Sequence, residues 1–219
     1  MRKLGGANGF IEKQNDYLLL VYTNEEIAED GQFQAWWDAF DDIRAVFGLS
    51  EGIRLVVDPD QRAGQTPKWK YLVAHGFSGD AERMKRAIAR HVTQGDSALW
   101  FYKAIAEQVE KPGKADDADE HIFMALTNVK PGRLDDFTEW YNTHHVRDVV
   151  RVECYRSGRR FHMEAAGGSE APWEFLAFYR FVGPAAEMHD ILRREMSTGK
   201  NVMSDAYESG DGAWIYRPV

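Results

Sequence analysis

Tyr17-Leu18-Leu19-Leu20-Val21-Tyr22-Thr23-Asn24 is answered later in the chain by His121-Ile122-Phe123-Met124-Ala125-Leu126-Thr127-Asn128. Phe33, Trp36, Trp69, Phe77, Gly79 and Met84 recur as Phe137, Trp140, Trp173, Phe181, Gly183 and Met188 at the same offset (127 − 23 = 104). Each copy ends in a related run, Leu99-Trp100-Phe101-Tyr102-Lys103 and Ala213-Trp214-Ile215-Tyr216-Arg217, with a longer loop before the second. A 219-residue chain built this way reads as two fused units rather than one large domain.

Each unit reads β-α-β-β-α-β. In the first, a short apolar strand over Tyr17 to Thr23 precedes a helix with Phe33, Trp36, Trp37, Phe40 and Phe47 on one side. Strands at Gly52 to Val57 and Trp69 to His75 follow, and Ser78-Gly79-Asp80 starts the second helix. The second unit runs through strand His121 to Thr127, helix Leu134 to Val150, strands Gly158 to Met163 and Trp173 to Phe181, and a helix from Pro184 to Met196. Glu110 to Glu120 is charged and poor in apolar residues, which reads as a linker. The boundary is placed near residue 115, with units 1–115 and 116–219.

A four-stranded sheet with both helices on one face leaves its other face to be covered. Strand alternation puts Ile53, Leu55 and Val57, with Arg159, Phe161 and Met163, toward the helices. It puts Arg54, Arg160 and His162 on the other face, with Trp69, Tyr71, Val73 and His75 and their counterparts Trp173, Phe175, Ala177 and Tyr179. The expectation is that the two sheets pack face to face around a cavity lined by these aromatics; equally, the aromatics could fill the interface.

A net charge of −8 without a basic run argues against nucleic-acid binding. The apolar stretches are too short for a membrane helix and the N-terminus lacks a signal-peptide segment, so a cytoplasmic protein is expected. Cys154, a single cysteine among apolar neighbours, reads as a packed thiol. Gly5-Gly6 and Gly167-Gly168 lack the context of a nucleotide-binding loop, and no metal-ligand motif is present. No cofactor and no metal are expected.

The second unit resembles the dimeric α+β barrel superfamily, in particular its EthD-like branch of small ferredoxin-like enzymes. The resemblance rests on Ile122 to Asn128, Pro131-Gly132-Arg133, Phe137-Thr138-Glu139-Trp140-Tyr141-Asn142-Thr143-His144-His145-Val146-Arg147-Asp148 and Ser157-Gly158-Arg159-Arg160-Phe161. It implies an α+β fold of two tandem ferredoxin-like βαββαβ repeats, packed sheet to sheet as a fused α+β barrel. It also implies that Trp140, Tyr141, His145 and Asp148 belong to a helix whose histidine faces the cavity. Glu153-Cys154 replaces the usual Pro-Gly after that helix. The first unit has Trp36-Trp37-Asp38-Ala39-Phe40-Asp41-Asp42-Ile43-Arg44 there, with no histidine, which points to the second unit as the active one.

Helical spacing lets Asp148 lie beside His145, three residues away, or His144, four away, and so fix an imidazole tautomer. His145 is then the expected proton shuttle, Asp148 its orienter and Tyr141 the donor to an oxyanion. His144 aligns with Phe40 on the apolar stripe and reads as a core residue or a substrate contact. Arg54 and Arg160 share a repeat position across a two-residue insertion (160 − 54 = 106) and suit bidentate binding of carboxylates, or else internal ion pairs. His162, His75, Trp140 and Tyr179 are further pocket candidates, while Asn128, like Asn24, reads as a pocket donor or a turn residue. The expected activity is a cofactor-independent acid–base isomerisation, cis-trans or keto-enol, of a small carboxylated aromatic-derived compound or ring-cleavage oxo-acid, in aromatic-compound catabolism. Decarboxylation, cofactor-free oxygenation or simple ligand binding are the alternatives. A homo-oligomer is compatible with the sequence, which identifies neither the substrate nor the choice between His144 and His145.

Overall fold

The computed structural model describes residues 15–40, 43, 52–62, 64–90, 97–111, 120–167, 173–199, 203–208 and 212–219. The first half contains β1 (Tyr17–Thr23), α1 (Asp30–Asp38), β2 (Ile53–Val57), β3 (Tyr71–Phe77), α2 (Ala81–Arg90), β4 (Ser97–Ala104) and the short β5 (Val109–Glu110). The second contains β6 (Glu120–Val129), α3 (Leu134–Trp140), a π-helical turn (Tyr141–His145), α4 (Val146–Arg151), β7 (Tyr155–Gly167), β8 (Phe175–Val182), α5 (Ala185–Ser197), the short β9 (Tyr207–Glu208) and β10 (Ala213–Pro218).

Eight strands close into an antiparallel ring in the order β10-β2-β3-β1-β4-β7-β8-β6, with β6 pairing back to β10. Each half contributes four consecutive positions. The seams are β4 against β7 and β10 against β2. The halves are therefore joined edge to edge by backbone hydrogen bonds, which corrects the expected face-to-face packing of two separate sheets. β7 runs for 13 residues because it pairs with β8 along one edge and with β4 and β5 along the other. The segment expected to be linker from Glu110 begins as strand. Val109 and Glu110 pair with Gly158 and Ser157, and Lys111 Nζ donates to the carbonyls of Arg151 (3.3 Å), Val152 (3.3 Å) and Glu153 (3.4 Å) at the end of α4. Residues 112–119 lie outside the described residues, as does Phe47 of the first helix.

Closing the ring gives its strands an apolar core on each face, and the expected assignment of faces is inverted. Ile53, Leu55 and Phe161 point into the barrel with Leu20, Tyr22, Trp100, Met124, Phe178 and Trp214. Val57 and Met163 pack against this cluster. Aromatic rings fill the interior: centroids lie 4.5 Å apart for Tyr22 and Trp100, 5.3 Å for Trp69 and Trp100, and 5.1 Å for Trp173 and Trp214. Trp69 and Trp173 sit just before β3 and β8, not within them, and each accepts a hydrogen bond at its carbonyl from a tyrosine of the other half. Tyr216 reaches Trp69 and Tyr102 reaches Trp173, both at 3.4 Å. Tyr71, Val73, Phe175, Ala177 and Tyr179 instead face the helices, in two outer cores, one for each half.

Candidate active site

The residues singled out in the second half meet between helix and sheet, outside the barrel. Phe137, Tyr141, Val146, Val149 and Val150 form the buried stripe of the α3–α4 helical stretch. The step from Tyr141 to Val146 is five residues, and the Val146 N–H donates to the Tyr141 carbonyl, the signature of a π turn. An α-helix of uniform pitch would keep His144 on the stripe that Phe40 occupies in the first half. The wider turn instead carries His144 out to solvent and leaves His145 half-buried beside Tyr141. His144 is thus an exposed residue and not part of the buried stripe. Nothing in the composition or spacing of this stretch marks the π turn.

Beneath this turn lies Arg160 of β7, 1% exposed. Its Nη1 donates to Asn142 Oδ1 at 2.7 Å, and its guanidinium carbon lies 4.2 Å from the Tyr141 ring centre, 5.0 Å from Phe137 and 5.4 Å from Phe175. Nη2 is buried without a hydrogen-bond partner. Burial lowers the Arg160 pKa, partly offset by Tyr141 and Tyr179, yet a guanidinium starts so high that it stays charged. Desolvating a cation costs several kcal/mol, which the three ring faces and the Asn142 hydrogen bond offset without neutralising the charge. Nη2 remains a donor that an anion would satisfy.

His145 stacks on Trp140 (4.5 Å between centroids) and meets Tyr141 edge-on (4.8 Å). Its Nδ1 is buried without a partner. Burial, reinforced by the charge of Arg160, lowers its pKa to about 4, so the imidazole is neutral at cellular pH. Asp148 does not orient it: that carboxylate pairs with Arg151 at 2.9 Å, on the next turn toward solvent. Burial pushes Tyr141 up to about 12, against the opposing pull of Arg160, and lifts Tyr155 and Tyr179 well above the usual phenol value. All three are proton donors at neutral pH. The Tyr141 and Tyr179 hydroxyls act on one another's ionisation, but Tyr179 Oη lacks a hydrogen bond of good geometry. Tyr179 lies flat over Gly158, where a Cβ would stand 2.6 Å from the ring.

Other expected site residues fall elsewhere. Arg54 lies on β2, four strands round the ring from β7, beneath α1, so the two arginines do not converge on one cavity. Arg54 Nη2 pairs with Asp30 at 2.6 Å. His75 is buried in the first half, stacked on Trp37 at 4.6 Å. Asn128 Oδ1 accepts the Glu174 N–H at 2.8 Å, as Asn24 Oδ1 accepts that of Lys70 at 2.8 Å; both clamp strand ends. His162 sits at the rim, 5.2 Å from Phe175 between ring centroids, with Nε2 3.2 Å from Glu174. Cys154 has its thiol raised to about 11, chiefly by burial, which suits a packed thiol and not a nucleophile. Asn142, the neutral partner of Arg160, escaped the sequence reading. Its only signal was the contrast with Asp38 at the same repeat position.

No family model and no curated protein matches the sequence. Among solved structures, an anthrone oxidase-like protein superposes with a TM-score of 0.54 at 14% identity, over 96% of this chain and 93% of its own. A candidate monooxygenase from Fusobacterium nucleatum gives 0.45 at 13% identity, covering 92% of both chains. A ferredoxin-fold protein related to antibiotic biosynthesis monooxygenases, from Listeria monocytogenes, gives 0.42 at 10%, covering 93% of this chain and 94% of its own. At such identities the likeness is one of fold alone: this chain is an α+β protein closed into an eight-stranded antiparallel barrel.

Proposed function

We propose that the helix–sheet interface of the second half, around Arg160 and His145, binds a small, planar, anionic aromatic or enolisable compound and moves a proton on it without a cofactor. The observation that carries this reading is Arg160, a cation buried under the π turn with Nη2 unpartnered and a neutral Asn142 as its hydrogen-bond partner. A carboxylate, phenolate or enolate oxygen placed there restores the missing charge. It also cancels part of what depresses His145, so that ligand binding raises the basicity of the neighbouring imidazole. His145 then takes a proton from the substrate, Arg160 and Tyr141 hold the resulting oxyanion, and return of the proton to a different atom completes an isomerisation. Asp148, paired with Arg151, has no part in this scheme, and Arg54 and His75 belong to the other half.

A second reading, favoured by the anthrone oxidase-like neighbour, has the same carbanion react with dioxygen instead of being reprotonated. We also infer that units 1–115 and 116–219 descend from one duplicated ferredoxin-like repeat of the EthD-like kind. The shared element order and the 104-residue offset that recurs from Thr23/Thr127 to Met84/Met188 support this.

A turnover screen of purified protein against hydroxylated aromatic acids and unsaturated oxo-acids, followed by ultraviolet absorbance and mass spectrometry, tests the assignment. A spectral change at constant mass, lost in His145→Gln, is the expected result. Gain of oxygen or loss of carbon dioxide would replace isomerisation while keeping the site. Full turnover by His145→Gln would remove His145 as the base.

A further inference from the structure

Arg54 and Arg160 occupy equivalent positions in the two halves and hold their heads alike. Each guanidinium carbon lies over the equivalent phenylalanine, 4.9 Å from the centre of Phe33 and 5.0 Å from that of Phe137. Each has one nitrogen engaged and another buried without a partner. Arg54 donates from Nη2 to Asp30 and leaves Nη1, whereas Arg160 donates from Nη1 to Asn142 and leaves Nη2.

The partners differ in kind. Asp30 is an anion on the first residue of α1. The residue at that place on α3 is Leu134 (134 − 30 = 104), which is neutral and 48% exposed. Asp135 and Asp136 follow in the first turn of α3, Asp136 paired with Arg133 at 2.6 Å, but the position equivalent to Asp30 carries no carboxylate. Arg160 turns toward the following helical turn instead.

We propose that Asp30 is the resident occupant of a latent carboxylate site on Arg54, and that the equivalent seat at Arg160, to which Leu134 brings no carboxylate, receives the carboxylate of an external ligand. The second clause rests on the functional reading above; the first does not. The first half then shows, with a side chain of its own, how the second half holds a ligand: one carboxylate against a guanidinium that is seated on a phenylalanine. Leu134, exposed at the start of α3, presents apolar surface where the first half has a charge. Asp30 is 74% exposed at its side chain, so its ion pair is held loosely and its replacement does not threaten the fold.

Benzoate titrated calorimetrically into the full chain at low salt and neutral pH is the probe. One site is expected in the unmodified protein, lost in Arg160→Gln. Asp30→Asn is expected to bind two, the second disappearing in the Asp30→Asn, Arg54→Gln double variant. Leu134→Asp should bring a carboxylate back onto Arg160 and weaken benzoate at that site at least tenfold. An unchanged stoichiometry in Asp30→Asn overturns the latent site, and undiminished affinity in Leu134→Asp overturns the equivalence of the two seats. Should the unmodified protein bind no benzoate while Asp30→Asn gains an Arg54-dependent site, the latent site stands and the reading of Arg160 as a substrate anchor falls.

Discussion

Arg160 is held 4.2 Å from the centre of the Tyr141 ring while its Nη1 donates to Asn142, so a full positive charge rests on a π face and a single neutral acceptor. That arrangement is poor for stability and good for recognition. Arg160→Met removes a buried charge and keeps a flexible apolar stem. Its melting temperature should equal or exceed that of the unmodified protein. Its affinity for an aromatic carboxylate should drop by about tenfold to a hundredfold, the worth of a charge-assisted hydrogen bond. Thermal melts and ligand titration on the same sample check both halves of the prediction; a large loss of stability with affinity intact would make Arg160 structural.

Tyr141 serves twice, as a seat for the guanidinium and as a hydroxyl donor. Tyr141→Phe separates these roles, since the ring and its face remain. Loss of one donor to a developing oxyanion lowers the turnover rate by about 10²-fold, with a small change in KM and little change in stability. A parallel rise in KM would show that the hydroxyl binds the ground state.

His145 makes stability depend on pH with a definite sign. In the unfolded chain its pKa is about 6.5, and burial together with Arg160 brings it down to about 4 in the fold. Between those values the unfolded chain holds the proton and the folded one does not. Stability is therefore complete above pH ~6.5, falls as pH drops toward 4 and levels off below it. The loss is on the order of 3 kcal/mol. His189, also lowered by burial and by Arg62, acts in the same direction, so the informative quantity is the difference between the unmodified protein and His145→Gln in urea melts at pH 4.5 and 7.5. The variant should lose much less on acidification.

Gly158 lets Tyr179 lie over the strand. A methyl group there would meet the ring at 2.6 Å and Val150 at 3.1 Å, so one of them must move. Gly158→Ala should cost about 1 to 3 kcal/mol, lowering the melting temperature by roughly 4 to 10 °C, and should displace the Tyr179 hydroxyl from Tyr141. Unchanged melting would mean that β7 shifts without strain.

Much of this architecture can be read from spacing alone. The 104-residue offset related the first and third main strands of the two halves, the second and last followed from element order despite added residues, and the contrast between Trp140 to Asp148 and Trp36 to Arg44 drew attention to His145. What failed was the parity of the strands. Alternation separates an apolar face from a wet one, but a ring covered by helices has two apolar faces, so Ile53 and Leu55 gave no reason to prefer the barrel over the helices. Arg54 and Arg160 then misled, because a charge suggested an open cavity when both lie under helices. The exchange of Asp148 from His145 to Arg151 and the exposure of His144 belong to the π turn, whose extra residue leaves no mark on composition or period.

The two seams have a mechanical meaning. Because β4 joins β7 and β10 joins β2, neither half owns a complete sheet, and prising either one loose bares strand edges on both. Such edges are templates for pairing between molecules. Damage at a seam, for instance loss of Tyr102 or Tyr216 with their bonds across it, should therefore surface as aggregation before it surfaces as a slowly melting half.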